Sequence, residues 1–286
     1  MKLHILGTGG PLPETSRYGS AAILQVGDDN LLIDCGPAAT YKMIRVGIHP
    51  TDIDWLFFTH HHFDHNADYP CFLLTRWDSG NGSEGRLSVF GPPPTRELTD
   101  RLIGEEGAFS ADWKARVGHP VSRHKHQSRG GSLPRPAPSF DVADVDAGSV
   151  VETAHWRVRA ERVHHVDPWL VSLGYRIDSD RGSCVFIGDA GPCEEIGRLA
   201  AGADVLVIGC AYHTGREVDP RVADVSTGSL DVARIASEAG NRAVVVTHMS
   251  TRLARPGVRE RVIADIAGIY DGTIVFADEL MTVDLP

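Results

Sequence analysis

The sequence contains no apolar run near the roughly 20 residues that a membrane-spanning helix needs. Its longest apolar runs, such as residues 205–208, have the length of buried strands. The first ten residues, MKLHILGTGG, also lack the apolar core of a secretion signal. From these absences we expect a cytoplasmic protein with no membrane partner.

The sequence also lacks closely spaced cysteine pairs, and it has fewer basic than acidic residues. The five cysteines are scattered and none forms a Cys-x-x-Cys pair, so we expect a reducing compartment and no disulfide framework. The formal net charge is −10, and a chain of that charge repels polyanions at long range. Nucleic acid is therefore not the expected partner.

The sequence does have a series of short aliphatic runs bounded by Gly, Asp and Pro, which is typical of strands. Between some of these runs lie segments with the apolar spacing of helices. We predict a hairpin turn at residues 28–30 and helices over 194–201, 229–239 and 258–270. The predicted strands cover residues 3–6, 21–26, 31–34, 55–58, 87–90, 156–163, 171–177, 184–187, 205–208, 243–247, 273–276 and 281–283. Hairpins combined with helix-linked strands favour a layered α/β fold.

Hydrophobic residues make up 42% of the chain, which is enough for a large core, and we predict a single domain over residues 1–286. One segment, residues 118–139, is polar and rich in Pro, Gly and basic residues. It shows no helical or strand period, so we expect an exposed, flexible insertion. Its cluster of basic residues is either a solvated loop or a contact for an anionic substrate or partner: Arg123, His124, Lys125, His126 and Arg129.

The strongest functional signal is the segment Thr59-His60-His61-His62-Phe63-Asp64-His65, which directly follows a predicted strand. In an extended segment, His60 and His62 project to the same side. Imidazole and carboxylate groups together suit zinc, iron or manganese. Burying so many polar groups at a strand end is costly unless something binds them. We therefore predict a metal site here.

Three further candidates also stand at the ends of predicted strands. His165 follows the strand over 156–163, Asp189 follows the strand over 184–187, and His248 follows the strand over 243–247. An α/β fold builds its site where strand ends gather at one edge of a sheet. We therefore expect these side chains to lie beside the histidine-rich segment.

These residues resemble the metallo-β-lactamase superfamily, whose hallmark is His-x-His-x-Asp-His, and within it the ribonuclease Z, arylsulfatase-like and cyclic phosphodiesterase branch. The resemblance runs nearly end to end and implies an α/β fold, the four-layer αββα metallo-β-lactamase sandwich. The other segments that carry it are Leu6-Gly7-Thr8-Gly9-Gly10 with Arg17 and Ser20, Leu32-Ile33-Asp34-Cys35-Gly36, Val163-His164-His165, Leu173-Gly174-Tyr175-Arg176-Ile177, Phe186-Ile187-Gly188-Asp189-Ala190-Gly191-Pro192 and Val246-Thr247-His248-Met249-Ser250.

The resemblance implies two divalent metal ions, zinc first, with manganese or iron as alternatives. Asp189 bridges them in the family pattern, and His165 is our choice over its neighbour His164. The implied ligands are His60, His62 and His165 for one ion and Asp64, His65 and His248 for the other. The resemblance also implies a homodimer.

Hydrolysis follows from such a pair of ions. Two cations about 3.5–4 Å apart share a water and lower its pKa, which gives a bridging hydroxide as the nucleophile. Asp64 is the candidate residue to accept a hydrogen bond from that hydroxide and aim it. The surplus positive charge favours a small anionic ester: a phosphodiester, a cyclic phosphate or a sulfate ester. The alternative is a carboxylic ester, lactone or thioester on the same metals.

The chain departs from the branch where that branch places a proton donor. Ribonuclease Z has a histidine at the position of Ser226, and a hydroxyl cannot replace an imidazole as a general acid near neutral pH. The usual His-Glu pair is replaced by Gly209 and Cys210. His213 is the candidate for proton transfer, with a surface loop histidine as the alternative. We therefore place transfer RNA 3′-processing behind the other two functions.

The aromatic residues near the histidine-rich segment are predicted to have different positions. We expect Phe63 and Phe72 in the core. Trp169, in the loop after His165, either walls a pocket for an organic group or packs within the protein. A non-catalytic protein that keeps only the fold is a further alternative, but every expected ligand position is filled.

Overall fold

A computed structural model of the chain describes residues 1–82, 84–215, 218–253 and 255–285. The strands are β1 Lys2–Gly7, β2 Ala21–Val26, β3 Asp29–Ile33, β4 Trp55–Phe57, β5 Ser88–Gly91, β6 Asp141–Asp144, β7 Val150–Glu152, β8 Trp156–Arg162, β9 Leu173–Ser179, β10 Gly182–Ile187, β11 Val205–Gly209, β12 Ala243–Thr247, β13 Thr273–Phe276 and β14 Thr282–Asp284. The α-helices are α1 Ala39–Arg45, α2 Phe63–Asn66, α3 Tyr69–Ser79, α4 Thr95–Ile103, α5 Ser110–Gly118, α6 Pro120–Ser128, α7 Glu194–Ala200, α8 Pro220–Val225, α9 Ser229–Ala239 and α10 Val258–Ala267.

The strands form two mixed sheets of seven strands each. The first has the order β14-β1-β2-β3-β4-β5-β6, and the second has the order β13-β12-β11-β10-β9-β8-β7. Strands β3 to β6 run parallel to one another, as do β10 to β13. The remaining neighbours are antiparallel. Most of them, such as β2 and β3, are consecutive in the chain, whereas β1 and β14 are distant in sequence.

The inner faces of the two sheets pack together around a shared apolar core. Strand β8 shows the pattern behind this packing, since its side chains alternate between buried and exposed from Trp156 onwards. Phe57 of the first sheet places its ring 5.4 Å from that of Tyr175 and 6.5 Å from that of Trp156, both in the second sheet. The two sheets therefore form the central layers of a sandwich.

Helices cover both outer faces. Helices α1, α3 and α4 bury apolar side chains against the first sheet, and α7, α9 and α10 do so against the second. The four-layer αββα arrangement predicted from the sequence is therefore confirmed. Within the described ranges, no helix combines the length and the apolar character needed to cross a membrane.

Several predicted boundaries are close, and the misses have local causes. Strands β2, β12 and β13 and helix α9 have the predicted bounds, whereas the hairpin turn lies at residues 27–28, since β3 already begins at Asp29. Strands β6 and β7 were not predicted. Each is a short, half-exposed strand at the edge of its sheet, and so its sequence lacks a long apolar run.

The expectation of an irregular insertion over residues 118–139 is wrong for its first half, which is helix α6. His119 caps this helix by accepting a hydrogen bond from the Val121 amide, and Pro120 occupies its first turn. The second half is anchored, because the buried Arg135 side chain lies 4.0 Å over the Trp77 ring and donates to Asp78. The helix was missed because its sequence is polar on nearly every face.

Candidate metal centre

The ends of four strands bring the predicted ligands to one edge of the sandwich. The histidine-rich segment follows β4, and His165 lies in the loop after β8. Asp189 lies two residues after β10, and His248 directly follows β12. These side chains form two groups of potential metal ligands, namely His60, His62, His165 and Asp189 in one and Asp64, His65 and His248 in the other.

In the first group, three imidazole nitrogens face one another. His60 Nε2 lies 3.0 Å from His62 Nδ1, and His165 Nε2 lies 3.4 Å from the same His62 atom. Asp189 completes the group, with Oδ2 at 3.8 Å from His165 Nε2. His164, the alternate to His165, is half-exposed and instead lies 3.3 Å from Asp224. The geometry therefore favours His165 as the ligand.

The second group is more deeply buried. His65 Nε2 lies 3.1 Å from His248 Nε2, which in turn lies 3.2 Å from Asp64 Oδ2. The distance from His65 Nε2 to Asp64 Oδ2 is 3.8 Å. The three side chains are almost without solvent contact, so their charges interact in a low dielectric.

Asp189 lies between the two groups and offers one carboxylate oxygen to each. Its Oδ1 atom is 3.0 Å from His248 Nδ1 and 4.0 Å from His65 Nε2. Its Oδ2 atom faces His165 of the first group. A carboxylate in this position can serve two cations at once.

In three of the imidazoles, the ring nitrogen that faces away from the centre has a hydrogen-bond partner of its own. His65 Nδ1 donates to Asp34 Oδ2 at 2.7 Å, and His165 Nδ1 donates to the Val225 carbonyl at 2.9 Å. His60 Nδ1 lies 3.1 Å from the Thr59 hydroxyl. Such partners fix ring orientation, so that the other nitrogen of each ring points into the centre.

Asp34 is the functional residue that the sequence reasoning did not identify. It accepts hydrogen bonds from the Thr59 amide and hydroxyl as well as from His65, and it is buried. Its φ of 58° lies in the left-handed region, which non-glycine residues rarely adopt. The signal available in the sequence was an Asp placed directly after the buried run of β3.

Burial and charge act in opposite directions on the histidines. Burial, together with the neighbouring imidazoles, lowers the pKa of His60 well below its usual value and also lowers the pKa of His62. For His65 burial lowers the pKa as well, but the carboxylates of Asp34, Asp189 and Asp64 outweigh it and raise the pKa to about 9. His60 and His62 therefore offer neutral imidazoles, while the carboxylates around His65 attract positive charge.

This donor set fits divalent transition-metal ions. Ligands about 2.1 Å from a tetrahedral zinc ion are separated by roughly 3.4 Å. The nitrogen–nitrogen distances of 3.0 and 3.4 Å in the first group and 3.1 Å in the second are close to that separation. Each of the five imidazoles and two carboxylates offers one ligand atom, and within each group these atoms lie within 4.8 Å of one another. Two cations would satisfy both groups.

A cavity of about 230 Å³ opens beside Asp189 and His248. Its walls include Gly209, Cys210 and Ser226, which are the three positions where the chain departs from the branch that it resembles. Burial raises the pKa of the Cys210 thiol to about 12, so Cys210 is not a thiolate nucleophile at neutral pH. The cavity therefore has metal ligands on one wall and a hydroxyl, rather than an imidazole, where a proton donor was expected.

The structure does not bring His213 to this cavity. Its Nε2 atom lies 3.1 Å from Asp265 on helix α10, in the outer helical layer.

The predictions for the aromatic side chains have mixed outcomes. Phe72 is buried as predicted, whereas Phe63 is 60% exposed, so the prediction of a core position is wrong. Trp169 is 89% exposed and does not pack within the protein.

Comparison with known proteins gives consistent matches over the whole chain. The model of the beta-lactamase superfamily domain matches residues 29–249. Ribonuclease Z of Mycolicibacterium gilvum (strain PYR-GCK) is 30% identical over an alignment 291 residues long. The alignment covers all of this chain and 96% of that protein. The metallo-beta-lactamase fold protein YhfI from Bacillus subtilis superposes with a TM-score of 0.75 at 18% identity, covering 99% of this chain and 98% of that one. Human tRNase Z, short form, superposes with a TM-score of 0.70 at 18% identity over all of both chains.

Proposed function

This chain belongs to the beta-lactamase superfamily and is a metal-dependent hydrolase of ester bonds, and we propose that it uses two divalent ions to hydrolyse a small phosphodiester. Zinc is the first candidate for both ions, because imidazole and carboxylate ligands suit it. Cyclic phosphates belong to the same substrate class.

The observation that carries this proposal is the character of the cavity beside Asp189. Its volume is about 230 Å³, and none of the described residues that line it is a lysine or an arginine. Proteins that bind a nucleic acid backbone neutralise its phosphates with such side chains. Here the positive charge comes from the metal centre alone, which suffices for one phosphate group but not for a chain of them.

The residues around the ions have separable roles. When bound, two divalent ions polarise a phosphoryl oxygen and lower the pKa of a shared water. Asp189 holds the two ligand groups together, and Asp64 offers a carboxylate oxygen that accepts a hydrogen bond beside His248. Asp34 keeps the His65 ring in its orientation. Apolar lining residues such as Leu12 and Met249 contact the organic part of the substrate.

The relative named ribonuclease Z points towards RNA as a substrate, but two features of this chain favour a smaller one. The formal net charge of −10 opposes approach of a polyanion. Ser226 lines the cavity, and the sequence resemblance aligns it with the imidazole that would protonate a ribose oxygen as it leaves. Esters with an acidic leaving group need no such proton, and small activated phosphodiesters are therefore the best test substrates.

A substrate screen of the zinc-loaded protein tests the proposal. The panel contains bis-p-nitrophenyl phosphate, p-nitrophenyl sulfate, acyl-lactones and a precursor transfer RNA. We expect the highest kcat/KM on bis-p-nitrophenyl phosphate, and loss of that activity after metal removal. Hydrolysis of lactones alone, or cleavage of the precursor transfer RNA in preference to the small diester, would contradict the proposal.

A further inference from the structure

One wall of the cavity is a loop, residues 8–20, that lies against the metal centre. The Met249 amide donates to the Thr8 carbonyl at 2.7 Å, which joins this loop to the residue after His248. A Cβ atom on Gly10 would lie 3.2 Å from His248 Cε1, so this glycine allows the loop to approach the ring closely. The loop therefore sets the shape of the cavity directly beside the metal ligands.

The far end of this loop is held in place by ion pairs. Arg17 donates to the Thr8 hydroxyl at 2.6 Å and to the Ala277 carbonyl at 2.9 Å, and it pairs with Asp278. The adjacent Glu279 pairs with Lys42 and accepts from the Tyr18 amide. The acidic residues behind the loop are thus neutralised by partners within the protein.

Glu14, in the same loop, differs from these acidic residues. Its side chain is half-buried and lines the cavity together with Asp189 and His248. Its contact is with the Ser16 hydroxyl at 3.5 Å, and no basic side chain in the described part of the chain pairs with it. The carboxylate therefore presents an uncompensated negative charge to whatever occupies the cavity.

The lining of the cavity consequently combines the metal ligands with a separate, unpaired carboxylate. The metal centre at Asp189 attracts the anionic phosphate, whereas Glu14 repels a second anion and attracts a cationic hydrogen-bond donor. We propose that Glu14 is a specificity-determining residue that selects phosphodiesters whose non-leaving alcohol carries an ammonium group. This inference rests on the proposed phosphodiesterase function and names its substrate class.

Three substrates that differ in the end group of one alcohol separate this inference from simple phosphodiesterase activity. They are the 2-aminoethyl, propyl and 2-carboxyethyl esters of p-nitrophenyl phosphate. In each, water forms a bond to phosphorus and releases a proton to solvent while the bond from phosphorus to p-nitrophenolate breaks. The aminoethyl and propyl groups are isosteric and differ in charge, whereas the carboxyethyl group is negatively charged and slightly larger. For the wild type we expect kcat/KM to be about tenfold higher for aminoethyl than for propyl, from a charge-assisted hydrogen bond, and lowest for carboxyethyl.

Variants of Glu14 assign the preference to this side chain. Glu14→Gln keeps the shape but not the charge, and we expect it to bring the three kcat/KM values to within about twofold of one another. Glu14→Lys should reverse the order. The control is Glu106→Gln, because the Glu106 side chain is 96% exposed and lies between α4 and α5, away from the residues that line the cavity. It should leave the order unchanged.

Binding gives a second readout that needs no turnover. Calorimetric titration of the zinc-loaded protein should show 2-aminoethylphosphonate binding about tenfold more tightly than propylphosphonate, and Glu14→Gln should abolish that difference. Equal kcat/KM for the three esters in the wild type, or a preference that survives in Glu14→Gln, would overturn the role of Glu14 and leave the phosphodiesterase intact. If the zinc-loaded wild type hydrolyses none of the esters, the proposed function itself is contradicted, and the substrate inference falls with it.

Discussion

Asp34 shows how strongly the metal centre depends on a residue outside the ligand set. It accepts hydrogen bonds from His65, Thr59 and Ser20, and it does so from a left-handed backbone conformation. Holding a non-glycine residue in that conformation costs free energy, and such strain is typically found at functional sites. The hydrogen bond to His65 orients the ring and increases the basicity of the nitrogen that faces the second group.

Replacement of Asp34 should therefore weaken metal binding more than it weakens the fold. For Asp34→Asn we expect the affinity of the ion held by Asp64, His65 and His248 to fall by about 10- to 100-fold, because the amide accepts less strongly from His65. Competition with a chromogenic zinc chelator measures this affinity. Asp28→Asn, in the exposed turn between β2 and β3, is the matched control and should bind zinc like the wild type. Equal affinities for both variants would contradict the role of Asp34.

Ser226 supports a second residue-level prediction, about proton transfer to the leaving group. Ser226→His should raise the rate on dialkyl phosphodiesters by about tenfold or more, because an imidazole can protonate an alkoxide as it leaves. The rate on p-nitrophenyl diesters should stay within about twofold, since that leaving group needs no proton. The control Ser139→His lies on an exposed segment away from the cavity. A gain of equal size on both kinds of ester would indicate a different cause.

Single residues also show what sequence reasoning reaches and where it stops. His165, Asp189 and His248 were predictable as members of one site, because each follows an apolar run and strand ends meet at a sheet edge. The role of Asp34 depends on a contact with His65, 31 positions along the chain. His213 was the candidate proton donor because it follows β11. In the structure it pairs with Asp265 of α10 and does not reach the cavity. Such pairings have no local sequence signal.

At the level of elements, the histidine-rich segment is positioned by close packing of three backbone segments. Gly36 follows β3, its amide donates to the Ser20 carbonyl at 2.9 Å, and the neighbouring Cys35 amide donates to the His65 carbonyl at 2.7 Å. A Cβ atom on Gly36 would lie 2.3 Å from the Asp64 carbonyl oxygen and 2.6 Å from the Gly19 carbonyl carbon. Only a residue without a side chain fits between the segments.

Gly36→Ala should consequently disturb both stability and metal binding. We expect the free energy of unfolding to fall by about 3 kcal/mol, because the atoms in the way are backbone rather than flexible side chains. Urea denaturation and zinc content measure the two effects. Gly197→Ala, in α7, is the control, since its Cβ would meet nothing within 4 Å, and a helical alanine should be neutral or stabilising by up to about 1 kcal/mol. Similar stabilities for the two variants would refute this account of Gly36.

Element boundaries were predictable where burial alone dictates the sequence. Strands β11 and β12 lie inside the second sheet, with helices on one face and the other sheet on the opposite face. Their residues are therefore apolar, except for Thr247 at the end of β12. Helix α6 gives the opposite case. Its sequence is polar, and the segment that follows it is anchored by the tertiary contact of Arg135 with Trp77 and Asp78. Strength of burial, rather than the type of element, decided which predictions succeeded.

At the level of the whole molecule, the distribution of charge disfavours the binding of large anions. The formal net charge is −10, and the cavity beside the metal ligands lacks lysine and arginine among its described lining residues. Long-range repulsion therefore opposes polyanions, while the metal centre attracts a single small anion at short range. The homodimer implied by the sequence resemblance stays a prediction.

Competition experiments test this distribution of charge. Bulk transfer RNA, added at a nucleotide concentration well above that of bis-p-nitrophenyl phosphate, should leave the hydrolysis rate within about twofold at low salt, where polyanion binding is strongest. Inorganic phosphate should inhibit, because it is small enough for the cavity. Strong inhibition by transfer RNA that disappears as salt is raised would identify a polyanion surface and contradict the proposed substrate size.

The central claim is that the seven ligands hold two divalent ions with Asp189 between them. Anomalous diffraction from crystals of the zinc-loaded protein, collected above and below the zinc absorption edge, locates the ions directly. Two peaks are expected, one among His60, His62 and His165 and one among Asp64, His65 and His248, with a carboxylate oxygen of Asp189 directed at each. A single peak, or a pair of peaks from which Asp189 is turned away, would contradict the two-metal account.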